Sequence, residues 1–169
     1  MNLTRRHVLA VSSSLVAAAS VGAVGVGVSW WDRAPGEGLT ALSGDEYQMV
    51  QALSEAWMPA GGEPSLSGAD ANIGAFVDEV LLQMVPAQRK LLKLLIQALD
   101  ASTLVTHGSS YVFLTREERT RVLQSWVDSP RFAVRQPVSA LLVLMSMGWT
   151  MHPIVTDQVR PWFGCGYGR

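Results

Sequence analysis

The chain has 169 residues, 13 basic and 14 acidic side chains, and a formal net charge of −1. That balance excludes the basic footprint of a nucleic-acid-binding protein. A single cysteine, Cys165, excludes an intrachain disulfide, a zinc ribbon, an iron–sulfur cluster held by this chain alone and the Cys-x-x-Cys-His attachment of a c-type haem.

Residues 1–31 read as an export address or an anchor rather than as part of the fold. Arg5 and Arg6 stand directly ahead of an uncharged apolar stretch, Val8 to Trp31. The run Thr4-Arg5-Arg6-x-Val8-Leu9 resembles the twin-arginine signal, which a translocon recognises on proteins exported already folded. The signal pattern favours Phe where Val8 stands and Lys where Ala10 stands, whereas the arginine pair and Leu9 agree with it. An ordinary secretory signal and a plain membrane anchor are the competing readings. The stretch is only mildly hydrophobic, with Leu9 and Leu15 as its leucines and Gly22, Gly25 and Gly27 weakening it as a helix. At about 1.5 Å rise per residue it still reaches across a hydrocarbon core of roughly 30 Å. Ala17-Ala18-Ala19 and Val21-Gly22-Ala23 offer small-residue cleavage sites, and Trp30-Trp31 offers an interfacial anchor. Both a cleaved and a retained leader fit these residues. Either way the arginines lie on the cytoplasmic side, and the chain beyond Trp31 is expected in the periplasm, held at the inner membrane if the leader stays.

Residues 32–41 form a polar linker with Gly and Pro, and residues 42–153 are expected to fold as one bundle of about five helices. Ser43 stands three residues before Glu46, a capping-box spacing, and Tyr47, Val50, Leu53 and Trp57 follow at helical intervals. Met58-Pro59 ends that helix ahead of a turn-rich loop, Ala60 to Pro64. Ile73, Phe76, Val77, Val80, Leu81 and Met84 make one broad apolar helical face. Pro86 suits the first turn of the next helix, where six Leu or Ile side chains between Leu91 and Leu99 leave only a narrow polar stripe: Arg89, Lys93, Gln97 and Asp100. A helix so apolar is expected at the centre of the bundle, ending before a loop at Thr106 to Ser110. Tyr111 to Leu114 reads as a short apolar link, and Thr115 with Glu118 forms a second capping box before Val122, Leu123, Trp126 and Val127. Pro137 is expected to open the last helix, and Val138 to Met151 carries no charge. Fourteen residues are too few to span a membrane, so that run reads as a buried core helix. Residues 154–169 read as an irregular aromatic tail.

Charge is divided along the chain. Between Ala34 and Gln88 the charged residues are all acids (Glu37, Asp45, Glu46, Glu55, Glu63, Asp70, Asp78 and Glu79), whereas the chain from Arg89 onward is mostly basic. Solvated faces on different helix pairs are the simpler account, and a complementary docking surface is the other.

Catalytic constellations are missing from this pattern. No serine sits in a Gly-x-Ser-x-Gly elbow, and Asp78-Glu79 and Glu117-Glu118 are sequence neighbours that point apart on a helix. A metal or haem site built from His152 with Met145, Met147 or Met151 competes with the ordinary use of Met as core filler and of His152 as a helix-end residue. No catalytic, cofactor-binding or metal-binding residue is therefore assigned. The best-supported functional residues downstream of the leader are a candidate partner interface: Trp149, His152, Trp162, Phe163, Cys165 and Tyr167, with Arg160 nearby. A tail folded back over the open end of the bundle is the alternative.

Three patterns together resemble a known family over roughly residues 39 to 155. They are Leu42-Ser43-x-x-Glu46 leading to Ala56-Trp57-Met58-Pro59, then Ala71-x-x-Gly74-x-Phe76-Val77-Asp78-x-x-Leu81, and Leu142-x-Leu144 through His152-Pro153. All three are similar to the gluconate 2-dehydrogenase small-subunit (subunit 3) family. The resemblance implies a non-catalytic small subunit of a membrane-associated dehydrogenase. Its large subunit would be a flavoprotein of the glucose–methanol–choline type, with FAD in that partner and none in this chain. It further implies that the folded, cofactor-loaded partner crosses the twin-arginine translocon on this chain's signal. The aromatic tail and Cys165 do not map onto the family pattern. The rival expectation is an independent membrane-anchored helical interaction protein of the cell envelope.

Overall fold

The structure, a computed structural model, describes residues 33–160. Arg5, Arg6 and Leu9 of the expected export signal, the whole apolar stretch, and the tail residues Trp162, Phe163, Cys165 and Tyr167 lie outside the described residues. Among those described there are six α-helices, a 3-10 turn and no strand. We name the helices α1 (Gly44–Trp57), α2 (Ile73–Gln83), α3 (Pro86–His107), α4 (Arg116–Val127), α5 (Phe132–Met151) and α6 (Pro153–Val159), with the 3-10 turn Tyr111–Phe113 between α3 and α4.

The all-helical expectation holds, with three corrections. The last long helix begins at Phe132, not Pro137. The Arg131 carbonyl accepts the amides of Val134 and Arg135, which nucleates the helix five residues earlier. Pro137 then sits in its second turn, where the fixed φ of proline is already helical and one lost amide bond is tolerated near the end. Residues 153–159 are helical rather than irregular. Pro153 occupies the first turn, where its missing N–H costs nothing, and Val155 is fully buried. His107 belongs to the last turn of α3 and not to a loop; Gly108, at φ 68°, takes the left-handed conformation that ends the helix.

Helix α1 is the centre of the bundle. It packs against α2, α3, α4 and the 3-10 turn, while α5 packs against α2, α4 and α6. Met49, Val50 and Leu53 of α1 meet Ile73, Val77 and Leu81 of α2 and Val138, Leu141 and Met145 of α5 in one core cluster. The α2–α5 crossing is close: a Cβ on Gly148 would stand 2.4 Å from the Phe76 ring. Tyr111 is wholly buried, stacks on Trp126 at 5.5 Å between ring centroids, and donates its hydroxyl to the Arg119 carbonyl at 3.0 Å. Burial raises the Tyr111 phenol well above its ordinary value, opposed by Arg119 and reinforced by Glu55, so the hydroxyl remains a structural donor.

Two carboxylates fix how the chain enters this core. Glu46 closes the capping box by accepting the Ser43 amide at 2.8 Å. It is 2% exposed, receives Lys93 Nζ at 3.3 Å and accepts the Gln97 side-chain amide. Lys93 also donates to the Ala41 carbonyl at 2.8 Å. Asp78 accepts the amides of Thr40, Ala41 and Leu42 and the Thr40 hydroxyl at 2.7–2.9 Å, so α2 holds the segment that leads into α1. Burial pushes the Asp78 carboxyl up, and those four donors outweigh it, leaving the group below its ordinary value.

The division of charge along the sequence is partly resolved inside the fold. Glu46 pairs with Lys93, and Glu55 pairs with Arg119 at 3.0 Å, so acids of the first half meet cations of the second.

Lys93→Met leaves the Glu46 carboxylate buried without its cation and is expected to cost about 3–5 kcal/mol. Urea denaturation checks this, and adding Glu46→Gln to Lys93→Met should restore at least half of the loss. The Asp78→Asn substitution should cost about 1–3 kcal/mol at neutral pH. Because the folded-state pKa is depressed, the Asp78 contribution is full above the unfolded value of 3.8 and is lost as the pH falls through the folded value. Unfolding free energies of wild type and Asp78→Asn should therefore converge in acid. An unchanged gap down to about pH 2 would place the effect elsewhere.

Candidate functional site

The polar stripe of α3 decides where the functional surface lies. Lys93 and Gln97 are buried, at 8% and 9% exposure, against Glu46. Asp100 accepts the Ser110 hydroxyl and the Tyr111 amide at 2.6 and 2.9 Å. Arg89 reaches back to the carbonyls of Leu81, Leu82 and Met84 and caps the end of α2. All four residues of the stripe are thus spent on internal bonds. In turning that stripe inward, α3 turns part of its apolar surface outward: Leu91 is 66% exposed and Val105 is 87% exposed. The central position expected for this helix is therefore corrected. It lies at the edge of the bundle, because satisfying the polar stripe fixes its rotation about its own axis.

An open apolar groove results between α3 and α5. Leu91, Leu94, Leu95 and Ala98 line one side and Ala140 and Leu144 the other, around a volume of about 610 Å³, and no charged residue lines it. Volumes of this order hold ligands or the side chains of a docked helix.

The opposite flank of α5 carries a second apolar hollow of about 450 Å³, walled by Trp57, Val143 and Met147. Trp57, expected inside the first helix's apolar face, is 41% exposed, and its indole N–H donates to Ser146 Oγ at 2.9 Å. Helix α5 is long and apolar enough to cross a membrane by length and composition alone. Val138, Leu141 and Met145 nevertheless sit in the core at 2% exposure or less.

The residues expected at an interface divide between described and undescribed parts of the chain. Trp149 lies within α5, half-buried, and donates its indole N–H to the Leu66 carbonyl at 2.9 Å, tying the 60–70 loop to the bundle. His152 joins α5 to α6: its amide donates to Trp149 and its carbonyl accepts Thr156. The Nδ1 of His152 is buried with no hydrogen-bond partner. Trp162, Phe163, Cys165 and Tyr167 are outside the described residues, so the structure does not place them against Trp149 or His152.

The methionines considered beside His152 differ in exposure. Met145 is wholly buried, whereas Met147 and Met151 are 53% and 69% exposed. Among the described residues no group of three or more His, Cys, Asp or Glu side chains is placed to hold a metal ion. Glu46, Asp78 and Lys93 serve caps, turns and ion pairs, whereas Gln97 Oε1, Arg119 Nε and His152 Nδ1 are buried without a hydrogen-bond partner, and the groove lining is apolar except for Gln88. What the groove offers chemically is an apolar contact surface.

Sequence periodicity missed the groove because it located the apolar residues of α3 without indicating which side they face. The signal that could have found it is the pairing of a capping-box acid, Glu46, with a cation on a helix otherwise made of leucine.

Comparison with known proteins agrees with the motif-based resemblance and extends it. Residues 44–167 match the family described as Gluconate 2-dehydrogenase subunit 3. The matched span includes Trp162, Phe163, Cys165 and Tyr167, so the tail left outside the motif-based resemblance lies within the family's extent. No curated protein and no solved structure matches the chain. With more than two thirds of its length inside that match, the chain belongs to the gluconate 2-dehydrogenase subunit 3 family.

Proposed function

We propose that this chain is the non-catalytic accessory subunit of a dehydrogenase complex. It binds a flavin-dependent large subunit of the glucose–methanol–choline type and escorts it through twin-arginine export to the periplasm. The observation that carries this reading is the outward apolar surface of α3 and α5 on a chain of this family. Contiguous apolar surface of that kind on a small domain marks an interaction site. FAD belongs to the partner in this account, and this chain contributes binding surface, stability and an address. Arg5, Arg6 and Leu9 supply the address. A route reserved for folded cargo suits a partner that must take up its flavin before crossing the membrane. If the leader is retained, residues 8–31 hold the complex at the inner membrane.

A second reading, an independent membrane-anchored interaction protein of the envelope, is favoured by Trp30-Trp31 at the end of the apolar stretch. The two differ in whether a flavoprotein depends on this chain for its location. Replacing Arg5 and Arg6 together with Lys should leave both this chain and the flavin-dependent dehydrogenase activity in the cytoplasm. Fractionation that finds the flavoprotein still in the periplasm would remove the escort role. A flavoprotein absent from the purified complex would favour the second reading.

A further inference from the structure

The fold sorts its methionines into two sets. Met49 is 2% exposed, Met58 is 9% exposed and Met145 is wholly buried, and Met84 packs partly buried against the core. Met147 and Met151 are 53% and 69% exposed, although they share α5 with Met145. The helical period accounts for the split, since two residues on from Met145 is about 200° around the axis, on the opposite face. Val143, Met147 and Met151 stand at i, i+4 and i+8 and form one exposed apolar row along α5.

A thioether at the surface is open to two-electron oxidants, whereas one in the core is screened by its packing. With hydrogen peroxide the step balances without a cofactor. The sulfur lone pair bonds to one peroxide oxygen, the O–O bond breaks, and after proton transfer the other oxygen leaves as water. Sulfur loses two electrons and becomes a sulfoxide, a polar acceptor in place of an apolar atom.

Beside Met147 much of the local hydrogen-bonding capacity is already committed. Trp57, which walls the same hollow, gives its indole N–H to Ser146 Oγ at 2.9 Å. The Ser146 hydroxyl donates to the Leu142 carbonyl at 2.8 Å, and the Thr150 hydroxyl to the Met147 carbonyl at 2.9 Å. A sulfoxide at position 147 is therefore left to water, and the hollow changes from apolar to hydrated. The core is untouched, because Met145 lies on the other face of the helix.

We propose that Met147 and Met151 form a reversible oxidation site, through which hydrogen peroxide sets the polarity of the outer face of α5 without disturbing the fold. A methionine sulfoxide reductase reverses the step: its dithiol takes the oxygen off as water and ends as a disulfide. The inference does not depend on the accessory-subunit reading. It adds that the apolarity of this surface is chemically adjustable.

The test uses the full-length chain carrying Cys165→Ser, which removes the thiol that also consumes peroxide. In mild hydrogen peroxide, tandem mass spectrometry should find Met147 and Met151 gaining oxygen at least about tenfold faster than Met145 and Met49. Unfolding the chain in urea should abolish that difference. The doubly oxidised chain should keep its thermal midpoint to within about 4 °C and elute earlier from a hydrophobic-interaction column. Treatment with methionine sulfoxide reductases for both epimers should restore the original elution. Met147→Leu with Met151→Leu keeps the apolar volume without the sulfur, so its elution should not respond to peroxide.

Oxidation of Met145 or Met49 at the rate of Met147 in the folded chain would overturn the assignment. Unfolding once Met147 and Met151 alone are modified would do the same, as would an elution that peroxide leaves unchanged or shifts equally in the leucine variant.

Discussion

The Glu46–Lys93 contact is the constraint from which much of this structure follows. A carboxylate and an ammonium taken out of water each lose solvation worth several kcal/mol, and only close, well-bonded geometry offsets that loss. Here the geometry is supplied by three parts of the chain. The Ser43 amide fixes Glu46 at the start of α1, Gln97 bonds the same carboxylate, and the Ala41 carbonyl takes a second proton of Lys93. The start of α1 and the middle of α3 are thereby locked in register, and α3 has one rotation about its axis that satisfies its polar residues.

That rotation governs the outer surface as much as the inner one. With Lys93, Gln97 and Asp100 turned to the bundle, the helix cannot also bury Leu91, Leu104 and Val105. The apolar area left outside is a cost for an isolated domain and a resource for one that works in a complex. Asp78 acts at the neighbouring joint. By collecting three backbone amides and a hydroxyl from residues 40–42, it fixes the approach of the chain to α1 and keeps the Ala41 carbonyl where Lys93 can reach it. A second ion pair, Glu55–Arg119, does the same for α4 against α1, and the Tyr111–Trp126 stack ties the 3-10 turn to α4.

Family membership and this surface point the same way without depending on one another. The match over residues 44–167 identifies a dehydrogenase subunit family, and the apolar groove is read from side-chain positions alone.

Much of the fold was legible in the sequence because its signals are local. Ser43 with Glu46 and Thr115 with Glu118 cap α1 and α4 as their spacing required. Ile73, Val77 and Leu81 face inward as the period of α2 demanded. Proline was the weaker guide: Pro137 and Pro153 mark fixed φ angles, and a fixed helical φ is compatible with continuing a helix as well as with opening one. The family too was legible, since its motifs are runs of adjacent residues. The direction in which α3 faces was not, because a helix with apolar residues on most of its circumference has no preferred side until a partner for its polar stripe is fixed in space. That partner, Glu46, lies 47 positions before Lys93, and only tertiary packing brings the two together. Composition and spacing determined that this chain is helical, and its motif runs resemble the subunit family whose model it matches. The burial of one ion pair decided which of its apolar faces is left for something else to cover.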